Sequence, residues 1–133
     1  MRLTSRSEYA LLALIYLCRQ DTKNLIPVKT IAQAQNIPPK FLEQILLIFK
    51  RSGYLRSSKG QRGGFALAKP PAQIILADVI RLFDGALAPT DSVSKFFYEP
   101  TPIAKEKKMI RLFKEIRDYV SDKLENTTIA DMC

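Results

Sequence analysis

The chain contains no histidine and only two cysteines, Cys18 and Cys133. Without imidazole, paired-cysteine spacing or a serine elbow, and with acids scattered along helical patterns, nothing assembles a nucleophile, a base and an orienting group, so catalysis is not expected. Cys18 lies in an apolar stretch and Cys133 is the last residue. That pair does not make a disulfide framework, and a reduced compartment is the expected setting. A long apolar run is missing too, because the stretch around residues 10–18 is short and broken by Tyr16, too little to span a bilayer. The start Met1-Arg2-Leu3-Thr4 enters a helical pattern without the zones of a secretory signal, so the expected location is cytoplasmic. What is present suffices for one domain: 133 residues, 47% of them hydrophobic, which argues against disorder.

Charge is segregated along the chain. Residues 1–70 hold twelve Lys/Arg against three acids, whereas residues 71–133 hold nine against ten. The net charge of +8 therefore belongs to the first half. A one-sided positive field suits a polyanion, with nucleic acid the leading partner and an anionic membrane surface the weaker one.

Apolar spacing lays down three helices in about fifty residues. Tyr9, Leu12, Ala13, Tyr16 and Leu17 mark an amphipathic helix over residues 5–20, with Ser5 or Ser7 as its cap. Residues 21–24 read as a polar turn. A short helix follows from Val28 to about Gln35, stopped at Asn36, and Pro39 then opens a third helix that runs to Ser52 before Gly53 ends it. The period next changes to that of strands, Tyr54 to Ser58 and Gly64 to Ala68, around the basic loop Lys59-Gly60-Gln61-Arg62-Gly63. Another amphipathic helix covers residues 74–83, an exposed loop covers 86–102, and a long helix runs from Ile103 to about Asn126 with an apolar face from Met109 to Leu124.

Three helices followed by a basic β-hairpin is the order of a winged helix-turn-helix, in which the second helix of the motif enters the major groove and the wing reaches nearby backbone. The expected fold is mainly α with a small β-hairpin. The helix-turn-helix covers about residues 28–51 and the wing about 54–68. Residues near the start of the reader helix face the bases, which singles out Pro39, Lys40, Glu43 and Gln44. Lys40 can donate to guanine O6/N7 or to phosphate, Glu43 can accept from cytosine N4, and Gln44 matches adenine N6/N7. On the wing, Ser57, Ser58, Lys59, Gln61 and Arg62 supply hydroxyl, amide and cationic donors. The glycine-rich loop lacks the spacing and the Lys-Ser/Thr ending of a P-loop and lies between strands, so a nucleotide site is not expected. RNA and membrane modules exploit a basic half as well, but no aromatic platform for single-stranded bases is evident.

With these segments placed, the chain resembles the Rrf2 family of bacterial transcription regulators. The matching residues are Leu3-Thr4 with Tyr9-Ala10, Ile31-Ala32, and Phe41-Leu42-Glu43-Gln44-Ile45-Leu46. They continue through Ser58-Lys59-Gly60 and Gly63-Gly64-Phe65-Ala66-Leu67-Ala68 to Ile74, Ala77-Asp78-Val79-Ile80 and Gly85. The resemblance spans about residues 1–125. It implies a homodimer whose long helices cross, DNA sites that are imperfect palindromes, and a sensing function in the segment before that helix. It divides the chain into a DNA-binding domain (1–85), a sensing loop (86–102), a dimerisation helix (103–126) and a tail (127–133). It also implies that Ser5 and Arg6 touch DNA backbone and that Ile110, Phe113, Ile116 and Val120 form the dimer interface. Many members hold an iron–sulfur cluster through three cysteines before the long helix, but residues 85–105 contain none. Glu8 lies where some relatives recruit an acidic ligand. Without companion cysteines it reads as an N-terminal-turn carboxylate favoured by the helix dipole. The expectation is therefore a repressor with no metal or cofactor, controlled by a small metabolite or a partner protein. The alternative is a cluster on unusual ligands.

Overall fold

The head of the first helix is fixed by a carboxylate from the far side of the sequence. Helix α1 covers Ser5–Arg19 in the computed structural model, which describes residues 1–20 and 23–133. The expected polar turn at 21–24 thus falls partly on Asp21 and Thr22, outside the described residues. Thr4, not Ser5 or Ser7, caps α1 by accepting from the Ser7 amide, because Ser7 is turned inward and fully buried. The Ser7 hydroxyl donates to Asp84 Oδ2 at 2.6 Å, the Thr4 hydroxyl to Oδ1 at 2.5 Å and the Thr4 amide to Oδ2 at 3.2 Å. One anionic side chain so receives three donors at a helix N-terminus, where charge and dipole also favour it.

Around α1 the rest is arranged. Its buried face of Ala10, Ala13, Leu14 and Leu17 meets helices α2 (Val28–Gln35), α3 (Pro39–Arg51) and α4 (Leu76–Asp84) and strand β2 (Gly64–Leu67). Asn36 ends α2 in the left-handed conformation, φ 54°, which asparagine tolerates. Helix α3 starts on Pro39 and buries Leu42, Ile45, Leu46 and Phe49, the i, i+3, i+4, i+7 face its sequence dictates. Phe49 is the hub of that face. It meets Tyr54 and Phe83 edge-on, with ring centroids 5.6 and 5.2 Å apart.

The wing pairs β1 (Leu55–Ser58) with β2 in antiparallel register, Leu55 opposite Leu67 and Ser58 opposite Gly64. A single residue, Ile26, extends it by exchanging both backbone hydrogen bonds with Phe65 at 2.8 Å. That approach requires glycine at position 64: φ is +145° there, and a Cβ would fall on the Ile26 carbonyl. The wing is therefore stitched to the chain that enters α2.

Beyond the wing three expectations change. Residues 86–102 are not simply an exposed loop, because Leu87, Ala88 and Val93 are buried and the chain turns through Asp91–Val93 and Pro102–Lys105 as short 3₁₀ helices. Arg117 clamps the loop by donating to the Val93 carbonyl at 2.9 Å. Hydrogen bonding from the same Arg117 holds the Asp118 carboxyl below the usual carboxylate range, against some desolvation, and Lys95 adds to the effect. The long helix α5 is Lys107–Glu125 and starts later than residue 103, since Glu106 adopts φ −94°, ψ 95° and breaks the helical path. Finally, the tail is structured. Helix α6 (Ile129–Met132) is closed by a Thr128/Asp131 capping box, Ile129 is fully buried, and Cys133 is disulfide-bonded to Cys18. The expectation of two unrelated thiols fails because the fold brings residues 115 apart in sequence to a Cα–Cα distance of 6.0 Å, well within bridging range.

Replacing Asp84 with Ala removes the anionic acceptor of three hydrogen bonds and leaves the buried Ser7 hydroxyl only the Thr4 carbonyl. We expect a loss of about 2 kcal/mol, read as a lower urea midpoint with an unchanged slope. A midpoint equal to that of the parent protein would show that this carboxylate is ornamental.

Candidate nucleic-acid interface

Helix α3 shows an outer stripe opposite its buried one. Lys40, Glu43, Gln44 and Leu47 are exposed at positions i, i+3, i+4 and i+7 and so share one face. Pro39 at the first turn is exposed as well, and no side chain caps that turn. The helix is seated from behind by Tyr9 of α1, whose ring meets Phe41 edge-on at 5.5 Å. Helix α2 is tied to α1 by the Gln35 side-chain amide, which donates to the Leu12 carbonyl at 2.8 Å. Both helices of the motif thus rest on α1, and the outer stripe of α3 is left exposed.

Beside the stripe lies a concavity of about 520 Å³, walled by Pro27 and Val28 at the start of α2, Leu47 and Lys50 of α3, and Ser57 to Gly60 of the wing. The structure therefore brings Lys40, Glu43 and Gln44 to one surface and sets the wing across a groove from it. Ser58, Lys59, Gln61 and Arg62 are exposed at the wing's outer end. Ser57 differs. By strand alternation it shares the inner face with Leu55 and is half-buried, and it lines the groove. Ser5 and Arg6 are exposed at the head of α1, with the Arg6 guanidinium 5.7 Å from the Phe83 ring centroid, a contact that orients the cation.

Two members of this surface escape sequence reasoning. Leu47 looks like core by composition but is 44% exposed, and an apolar side chain there suits a thymine methyl. Lys50 looks like a helix-end charge, yet the wing folds back beside it. The continuation of the outer stripe, i+3 and i+4 beyond Gln44 and Glu43, was the available signal for Leu47.

The comparisons agree with this geometry. The family model Rrf2, described as an iron-dependent transcriptional regulator, matches residues 3–133. The chain belongs to the Rrf2 family. It is 32% identical over 135 residues to the HTH-type regulator Rv1287 of Mycobacterium tuberculosis, covering 99% of this chain and 81% of that one. To the HTH-type transcriptional regulator CymR of Bacillus subtilis it is 30% identical over 132 residues, covering 99% and 89%. The solved structure of CymR, described as the global cysteine regulator of B. subtilis, superposes with a TM-score of 0.79 at 27% identity over 99% of this chain and 95% of that one. T. potens IscR shares the fold, with a TM-score of 0.76 at 21% identity over 99% and 85%. This Rrf2 protein is accordingly a transcription regulator, and the family is not an enzymatic one.

The iron–sulfur ligands of other Rrf2 members do not fit the residues present here. Thiolates are the usual cluster ligands, the loop before α5 has no cysteine, and the two cysteines of the chain are bonded to each other. Glu8 is exposed on α1, and among the described residues no three His, Cys, Asp or Glu side chains are grouped to hold a metal ion. Among the described residues, too, no helix is long and apolar enough to cross a membrane.

Glu43→Ala and Gln44→Ala should each cost about 1–3 kcal/mol on a cognate duplex and relax its sequence preference, whereas Arg62→Ala and Arg6→Ala should weaken all duplexes alike and lower the salt slope by about 1. Fluorescence anisotropy across a salt series reads both. Uniform losses at all four positions would refute this division of labour.

Proposed function

We propose that the protein is a homodimeric repressor that reads a palindromic operator with α3 and grips its backbone with the wing and the head of α1. The single observation that carries this reading is the exposed stripe Lys40, Glu43, Gln44 and Leu47 beside the basic wing, on the half of the chain that holds the excess positive charge. Base-edge readers flanked by phosphate-binding cations are what sequence-specific duplex recognition requires. In this reading Lys40, Glu43 and Gln44 select bases, while Ser5, Arg6, Ser58, Lys59, Gln61 and Arg62 position the duplex. Residues 1–85 are the DNA-binding unit, and the compartment is the cytoplasm.

The dimer rests on α5. Only Ser121 of its nineteen residues is buried, while Met109, Leu112, Ile116 and Tyr119 are 40%, 48%, 41% and 74% exposed. An apolar stripe of that length is normally covered in a regulator that must present two reader helices. Ile116 belongs to this open stripe. Ile110, Phe113 and Val120, the other expected interface residues, are half-buried at its margin. The cluster-free reading is supported by the lack of thiolate donors in the loop before α5, and control then falls to a small metabolite or a partner protein. That loop is joined to the body by Arg81, which forms ion pairs with Asp78 and Glu125 and lies 5.0 Å from the Phe96 ring centroid.

Binding of a palindromic duplex from upstream of the chain's own operon, compared with a scrambled duplex, single strands and anionic vesicles, tests the function. Preference for the palindrome at every salt concentration is expected, and equal binding to all four would refute it. Charged substitutions at Phe113 and Ile116 should yield monomers by light scattering with poor operator binding; a variant that stays dimeric would show that α5 is not the interface. Freshly purified anaerobic protein should be colourless and iron-free, and stoichiometric iron with visible sulfide-to-iron absorption would overturn the cluster-free reading.

A further inference from the structure

Neither cysteine takes part in the DNA-binding surface, yet the fold brings them together. Cys18 lies in the last turn of α1 and is half-buried, while Cys133 follows α6 and is exposed, so small oxidants and reductants can reach the bond. Segment 126–133 is also held without it. The Leu76 amide donates to the Thr127 carbonyl and the Ile129 amide to the Ile74 carbonyl, both at 2.9 Å, Thr128 bridges Ile75, and the Ile129 side chain is fully buried. These contacts keep the two sulfurs near each other when the bond is open, which makes closure intramolecular and repeatable.

We propose that Cys18 and Cys133 form a reversible thiol–disulfide site, opened by dithiols and closed by peroxide, that clamps segment 126–133 onto α1. In closing, one thiolate attacks hydrogen peroxide, the O–O bond breaks, and a sulfenic acid forms as hydroxide leaves. The second thiol attacks that sulfur, the S–S bond forms, and water leaves. Opening takes two electrons and two protons from a dithiol, which becomes a disulfide while both cysteines return to thiols. Because the bond joins residues 115 apart, it restricts nearly the whole unfolded chain, a large constraint in the loop-closure account.

The clamp reaches the reader through α1. That helix seats α3 through the Tyr9–Phe41 contact and α2 through Gln35 and Leu12, and segment 126–133 continues directly from α5. Closing the bond fixes the end of α5 to the helix that carries the reader, which pre-sets the spacing of two readers in a dimer and lowers the ordering cost of binding. This last step rests on the proposed roles of α3 and α5; the clamp itself does not.

The test compares the 133-residue chain reduced with dithiothreitol and then treated with hydrogen peroxide. Reduced protein should stay folded and label with two maleimides per chain, and peroxide should abolish labelling and yield the Cys18–Cys133 peptide within single chains. Reduction should quicken amide exchange at Leu76 and Ile129 at least tenfold, lower Tm by about 10 °C and weaken binding to the palindromic duplex about fivefold. Cys133→Ser and Cys18→Ser should match the reduced state in exchange, Tm and duplex affinity whatever the treatment. Chain-to-chain crosslinks, thiols that do not reclose, unchanged exchange, or equal duplex affinity in two states that both bind would each overturn the switch. Absence of duplex binding in both states would instead refute the DNA reading, and the exchange rates would still decide the clamp.

Discussion

The Asp84 carboxylate at the head of α1 is the constraint on which the remaining geometry depends. It takes donors from Thr4 and Ser7 and so locks the end of α4 to the start of the central helix. Through α1 that anchor reaches three further elements: α2 through the Leu12 carbonyl, α3 through Tyr9, and segment 126–133 through Cys18. A side chain that must read base edges needs a scaffold fixed to within a fraction of an ångström. Here that fixity comes from charge-assisted hydrogen bonds at one end of α1, a covalent bond at the other and close packing between them.

The exposed stripe follows from the two faces of one helix. Leu42, Ile45, Leu46 and Phe49 turn inward and make α3 part of the core, and the same 3.6-residue pitch obliges Lys40, Glu43, Gln44 and Leu47 to turn outward together. The wing completes the surface only because Gly64 lets its second strand lie against Ile26. In the proposed function, positive charge concentrated in residues 1–70 gives this face a field that draws a duplex from a distance, while the side chains select among duplexes.

Much of this was legible in the sequence because it is local. The helix boundaries at Asn36, Pro39 and Gly53, the strand period of the wing and the outer stripe of α3 all follow from residues a few positions apart. The order of those elements was enough to resemble a family. What escaped notice depends on contacts across the chain. Asp84 lies just past the helix read over residues 74–83, with nothing near it to mark it as an anchor, and Ser7 looked like a cap instead of a buried donor. Cys133 looked like a stray thiol, because nothing near it in sequence says that Ile129 will be buried or that Cys18 lies 6.0 Å away between Cα atoms. The burial of Leu87 and Val93 was hidden in the same way, since isolated apolar residues among prolines carry no period to announce a core.

The proposed function requires α3 to read a duplex as one of a symmetric pair. Selecting bound sequences from a random double-stranded library with the purified chain, and sequencing what is retained, tests that claim most directly. The expected result is an enriched motif with two-fold symmetry and half-site centres about 10 base pairs apart, or a multiple of that spacing, whose conserved positions degrade when Glu43 or Gln44 is replaced. A library that emerges unenriched, or a motif without symmetry, would contradict it.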